Sequence, residues 1–332
     1  MKIESNAIAT MLRSVRNIKP PLTEEHLQPL EPPCRAVAIV KPLSDSEHRQ
    51  VAELLRRHPA TALQIIWHLN HCVPHLHFLR YYKGLASLTI DVWNIESTEG
   101  IEELAESVER LFLGPTHPPP LRQGALAPFK KVRILQLNAA PQSIQEAANL
   151  PELRVLSLRS ISKLEVGLLR PASKLRTLHV GLGSMINADE LAKLTKLQRL
   201  NLWRVRGIEN AGFLADMVSL RDVHLQDFPK IERLPSLVRL NTLHRFVIQG
   251  MKSLVDISGA AESPSLKELL VFNSLQLTPE NFKPFVNHPS LTHASVAIGS
   301  DKKNVAIEQL LSLPRPDRFG KGIFDDPALL QD

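Results

Sequence analysis

LRVLSLRSI at 153–161, LRTLHVGLG at 175–183 and LQRLNLWRV at 197–205 are three copies of one pattern, and they decide the fold. Each copy puts Leu or Val at its first, fourth and sixth places: Leu153, Leu156, Leu158; Leu175, Leu178, Val180; Leu197, Leu200, Leu202. Places four and six are two apart and therefore share one face of a strand. A unit this short cannot bury its apolar face alone, so copies at a fixed period must stack on one another.

Working outward, the same first place recurs at Leu85, Val108, Val132, Leu153, Leu175, Leu197, Leu220, Leu243, Leu266 and Leu291. Subtraction of these positions gives spacings of 21 to 25 residues. A degenerate first copy reads Ala62, Ile65, Trp67 and Asn70 at places one, four, six and nine. The pattern resembles the leucine-rich repeat superfamily, with its LxxLxLxxN segment, over residues 60 to 298. That resemblance implies an α/β solenoid: a horseshoe with a parallel concave sheet, a helical or irregular convex side, and caps at both ends. One departure stands out. Place nine, usually asparagine in that superfamily, holds Ile161, Gly183, Val205, Phe228, Met251 and Ser274, and place twelve holds Leu164, Ile186, Ile208, Ile231, Leu254 and Leu277. The turns are expected to rest on an apolar column, with their backbone groups paired elsewhere.

The expected organisation is an N-terminal segment and cap at 1–61, the repeat array at 62–298, and a C-terminal cap and tail at 299–332. Arg35 to Val40 reads as a strand, and Ser44 with Glu47 forms a capping box for a helix to about His58. On the convex side, Asn187 with Glu190 reads as a capped helix through Lys193, and Thr278-Pro279-Glu280 as another helix start, while 232–240 is too short or proline-broken for one. Val305 to Leu313 reads as a helix covering the last strand.

Apolar content of 43% and charged content of 22% are globular values and exclude a disordered chain. Two cysteines, Cys34 and Cys72, cannot build a disulfide framework, and neither a signal peptide nor an apolar run of membrane-spanning length is visible. The expectation is a cytoplasmic protein, monomeric when free. The formal charge of +6 leans towards an acidic partner.

No glycine-rich phosphate loop, nucleophile elbow or HExxH is present, so no catalytic residue, cofactor or enzyme activity is expected. His68, His71, Cys72, His75 and His77 offer groups that zinc accepts. Their spacing is not a known zinc pattern and Pro74 interrupts any helix aligning them, so they read as cap and turn residues, with no metal. Pro118-Pro119-Pro120 reads as a rigid crossing in one long repeat.

If places four and six point inward, places three, five and seven point out. The central copies then present Val155, Ser157 and Arg159; Thr177, His179 and Gly181; Arg199, Asn201 and Trp203; Asp222, His224 and Gln226; Arg245, Val247 and Gln249; and Glu268, Leu270 and Phe272, with Arg204 and Asp227 at place eight. Outward aromatics among arginines, histidines and amides have the composition of a protein-binding hot spot. The expected partner-binding residues are Arg159, His179, Arg199, Asn201, Trp203, Arg204, His224, Gln226, Arg245 and Phe272. The function expected is a non-enzymatic interaction module that holds a protein on its concave face, in the manner of a cytosolic inhibitor or immunity protein. The alternatives are an exported bacterial repeat effector and a nucleic-acid scaffold. For the scaffold, the basic place-two column Arg133, Arg154, Arg176, Arg221, His244 and Lys267 could track phosphates, but few aromatics interleave for stacking.

Overall fold

The computed structural model describes residues 14–32, 34–73, 75–114 and 123–316, without the side chains of 67–73 and 93–94. The Pro118–Pro120 run therefore lies outside the described residues, as do the side chains of His68, His71 and Cys72. The chain divides into two compact units, Met1–Leu153 and Arg154–Asp332.

In the first unit β1 (Val15–Ile18), β2 (Ala36–Ile39), β3 (Ala62–Val73), β4 (Ser87–Ile95), β5 (Arg110–Leu113) and β6 (Ile134–Asn138) lie side by side in chain order. Parallel pairing runs through β1 to β6. The ladder thus contains two strands before Ala62, and β2 is the strand read at 35–40. Between β2 and β3, α2 (Asp45–Arg56) follows the short α1 (Glu24–Leu27) in sequence. Its capping box forms as read: the Ser44 backbone N–H donates to Glu47 Oε2 at 2.8 Å, and the Glu47 N–H donates to Ser44 Oγ at 3.3 Å. Here α2 buries Val51, Leu54 and Leu55 together with His48, which hydrogen-bonds Tyr82 Oη at 2.9 Å and stacks on Phe78 at 4.5 Å. Burial drives the His48 pKa down to about 4 and raises that of Tyr82.

The phase of the first repeat needs correction. Leu63 pairs with Leu88, the fourth place of the copy at Leu85, so this repeat starts at residue 60 and not at Ala62. Leu63 and Ile65 are both fully buried, as places four and six require. A slip of two residues leaves every side chain on the same face, which is why alternation alone did not reveal it.

The second unit is more regular. Strands β7 (Val155–Arg159), β9 (Thr177–Gly181), β11 (Arg199–Trp203), β12 (Asp222–Gln226), β13 (Arg245–Gln249), β14 (Glu268–Phe272) and β15 (His293–Ala297) are parallel neighbours in that order. Each occupies places three to seven of its repeat, and residues at the same place pair across strands. Places four and six are all buried, with Leu178, Val180, Phe246 and Ile248 fully so.

The turns are held in two ways. Place eight is left-handed at Ser160, Leu182, Arg204, Asp227, Gly250 and Asn273, with φ between 47 and 66°. Its amide adds a last rung by donating to the place-seven carbonyl of the next strand, as Arg204 does to Gln226 at 2.8 Å and Asp227 to Gln249 at 2.9 Å. Beneath it runs the expected apolar column: Ile161, Val205, Phe228, Met251, Ile231, Leu254 and Leu277 are all buried. The backbone groups there pair in a second, minor ladder between β8 (Leu164–Glu165) and β10 (Met185–Ile186), extended by Ser184 opposite Arg206. Where Ser274 stands at place nine, its hydroxyl accepts from the Met251 amide at 3.3 Å.

The crossovers are mostly one or two 3-10 turns. Ala188–Lys193 is of this kind and not the capped helix read from Asn187: that residue is left-handed at φ 56°, its side chain caps nothing, and Glu190 is drawn to Arg170. Pro279–Phe285 does start at Thr278, whose N–H donates to Asn281 Oδ1 at 2.8 Å. No helix forms over 232–240. In the first unit α3 (Ile144–Ala148) follows β6. At the end of the second unit α4 (Asp301–Leu311) packs on β15 and on Pro279–Phe285. It starts a turn earlier than Val305 because Ser300 caps it, accepting from the Lys303 N–H at 3.4 Å. The chain then returns to the edge strand, where Pro314 accepts from the Ala294 amide at 3.0 Å.

Candidate functional site

The outward places of β7 to β14 form three rows across the second unit. In the place-three row, Arg199, Asp222, Arg245 and Glu268 stand opposite one another on successive strands. The row alternates in charge, and opposite charges facing across a strand pair attract. Arg199 Nε donates to Asp222 Oδ2 at 2.9 Å, and Arg245 Nε lies 3.6 Å from Glu268 Oε2. Two arginines expected to await a partner are therefore already paired within the sheet.

The place-five row aligns His179, Asn201 and His224. Asn201 Nδ2 and His224 Nδ1 are 3.3 Å apart, whereas His179 Nδ1 and Asn201 Oδ1 are buried without a protein partner. His224 Nε2 also lacks a well-formed hydrogen bond, although the Gln249 side chain favours its protonated form. Burial, then His224 and Arg159, lower the His179 pKa to about 4. Burial is also the main cause lowering His224, with Arg245 adding to it. Both rings are held neutral near pH 7.

The place-seven row centres on Trp203. Arg159 lies over its ring at 5.6 Å, within cation–π range, with Gly181 on the strand between them. A Cβ at Gly181 would lie 3.2 Å from Trp203 Cε3 and 3.3 Å from His179 Nε2, so the missing side chain is what lets the ring lie across β9. The indole N–H donates to Asp227 Oδ2 at 3.2 Å, and Arg204 Nη2 donates to the same oxygen at 3.2 Å. Asp227 fixes both. Gln226 pairs beside Trp203, while Phe272 lies three strands away, about 14 Å at ordinary strand spacing.

The structure thus gathers Arg159, His179, Arg199, Asn201, Trp203, Arg204, His224 and Gln226 into one patch, with Arg245 at its edge and Phe272 outside it. Val155, Ser157 and Thr177, read as outward and open, are at most 3% exposed. They are short, and Ser157 and Thr177 pair with the longer His179 and Arg199, which close over them. Leu270 is likewise buried. The place-two column is not a continuous exposed row, since Arg154 is only 8% exposed. Gly181 and Asp227 are the contributors that composition did not single out. The glycine is signalled only by its position in a row of large residues. Of the histidine cluster, His75 and His77 have ring centroids 4.5 Å apart, and His77 Nε2 lies 3.9 Å from Glu99.

No family model matches the sequence, and no curated protein matches it. Among solved structures, the chain is similar to an internalin from Listeria monocytogenes at 16% identity and a TM-score of 0.53, covering 86% of this chain and 79% of that one. It is similar to a leucine-rich repeat protein of Leptospira interrogans at 15% identity and a TM-score of 0.51, covering 94% and 98%. What these structures share with the chain is the fold, a leucine-rich repeat solenoid.

Proposed function

We propose that the chain is a non-enzymatic binding protein that holds a protein partner on the open sheet face of residues 154–332, centred on Trp203. The observation that carries this reading is the place-five row, where His179 Nδ1 and Asn201 Oδ1 are buried without a partner beside an anchored, half-buried indole. Unpaired buried polar atoms are costly, and a small rotation of either side chain towards the face would let a partner satisfy them. Trp203 contributes rigid apolar area already oriented by Asp227, so little ordering is required on binding.

Pairing of Arg199, Arg204 and Arg245 with carboxylates makes the centre of this face nearly neutral. It suits a polar surface with apolar anchors better than a strongly acidic one, and it disfavours nucleic acid. Among the described residues no helix is long and apolar enough to cross a membrane. Within this reading, a cytoplasmic, monomeric inhibitor or immunity-type protein is the role that best joins a preformed face to the lack of any proposed catalytic group. The test is affinity capture followed by a binding measurement on the purified partner. Trp203→Ala combined with Arg159→Ala should weaken binding roughly thirtyfold or more, about 2 kcal/mol, and Arg221→Ala should change it little. Loss on Arg221→Ala with none at Trp203 would reject the face.

A further inference from the structure

The turns that follow β11, β12 and β13 enclose a cleft of about 570 Å3 off the end of the place-seven row. Its floor is apolar: Val205 and Ile208 are 3% and 5% exposed, and Pro229 adds to the lining. Two glycines line it. Both are left-handed, Gly207 at φ 88° and Gly250 at φ 66°. A Cβ would run into the Met185 carbonyl at the first and the Asp227 carboxylate at the second.

Four cations stand around this floor: Arg204, Arg206, Lys230 and Lys252. Two are committed, Arg204 to Asp227 and Lys230 to Glu209. Arg206 and Lys252 have no carboxylate partner among the described residues. The cleft therefore combines an apolar base with two unneutralised positive charges, whereas the sheet face beside it is charge-compensated.

We infer that this cleft takes an acidic, apolar segment of the protein partner: an aliphatic or aromatic side chain laid on Val205, Ile208 and Pro229, with a neighbouring aspartate or glutamate held by Arg206 and Lys252. The inference rests on the open-face reading above. A peptide is favoured over a free anion because the cleft is continuous with that face. Arg204 and Asp227 line it, and the same Asp227 oxygen orients Trp203, so a chain seated over the indole runs off the strand ends into it. Guanidinium and ammonium groups beside an apolar floor select a carboxylate over its amide isostere, since only the former neutralises them.

The test is fluorescence anisotropy with an array of short labelled peptides, each pairing Leu, Ile or Phe with one or two Asp or Glu residues, and each matched by its Asn or Gln counterpart. Acidic members should bind at least tenfold tighter than their amide counterparts. Arg206→Glu and Lys252→Glu should each weaken them tenfold or more with an unchanged circular dichroism spectrum, and the milder Arg206→Gln should weaken them severalfold. Failure of the whole array, equal binding of acid and amide, or indifference to both reversals would overturn the assignment. If the peptides need Arg206 and Lys252 while partner capture ignores Trp203, the cleft stands and the open-face reading falls. If capture needs Trp203 and ignores both reversals, the reverse holds.

Discussion

Strands β3 and β4 of the first unit run for 12 and 9 residues, whereas β7, β9, β11, β12, β13 and β14 of the second all stop after 5. The difference sits at place eight. In β3 and β4 that place, residues 67 and 92, continues the extended strand. In the six shorter strands it turns left-handed at Ser160, Leu182, Arg204, Asp227, Gly250 and Asn273. In the first unit β6 follows the same rule, stopping after 5 residues at left-handed Ala139. In these seven strands the left-handed place eight ends the strand, whereas β15 stops after 5 residues with its left-handed residue, Gly299, one place later. In the second unit the left-handed place eight also places Arg204 and Asp227 at the end of the open sheet face.

The strongest break of this comparison is glycine placed at the two kinds of place eight. Val92 is 1% exposed and extended, so Val92→Gly loses buried area and adds chain entropy, a cost of about 3 kcal/mol in urea denaturation. Ser160 is exposed and left-handed, and Ser160→Gly should relieve strain and gain up to about 1 kcal/mol. Equal losses at both sites would remove the rule. Next in size is Gly250→Val, where a β-branched residue would have to adopt φ 66° against Asp227. A loss of about 2–3 kcal/mol is expected, with altered Trp203 fluorescence as the Asp227 carboxylate is displaced.

Much of this was legible in the sequence, and the exceptions have physical causes. Spacing alone placed the buried columns, the repeated strands and the apolar turn core, because burial at places one, four and six leaves little freedom. The left-handed turn was not legible. Ser160, Leu182, Arg204, Asp227 and Asn273 share no side-chain property, and their conformation is imposed by the carbonyl each amide must reach on the next strand. Composition located the arginines of the site, but their neutralisation by Asp222, Asp227 and Glu268 depends on which strands pair. Gly181 was visible only as a gap.

A pH series compares the units through their histidines. His48 in the first and His179 in the second are both neutral when folded, with pKa values lowered from 6.5 to about 4. Between these values the unfolded chain binds more protons, so stability is full above pH 6.5 and is lost as pH falls towards about 4. Each should contribute on the order of 2–3 kcal/mol to that loss. His48→Phe and His179→Gln should each flatten part of the acid limb of the denaturation profile, and an unchanged limb would place both rings in solvent. The smallest effect concerns the Arg199–Asp222 pair, half-exposed on the sheet face. A double-mutant cycle to Ala should give a coupling of about 0.2–1 kcal/mol, and no coupling would return Arg199 to the set awaiting a partner.

Hydroxyl-radical footprinting of the free and partner-bound protein tests the assigned binding face most directly, because it needs no mutation and reads side chains. Trp203 and His224 on the open face should be protected in the complex, while Val238, Val255 and Leu275, exposed at 57%, 48% and 60% in the crossovers, should label as before. Protection of those three with Trp203 still fully reactive would contradict the assignment of the open face as the binding surface.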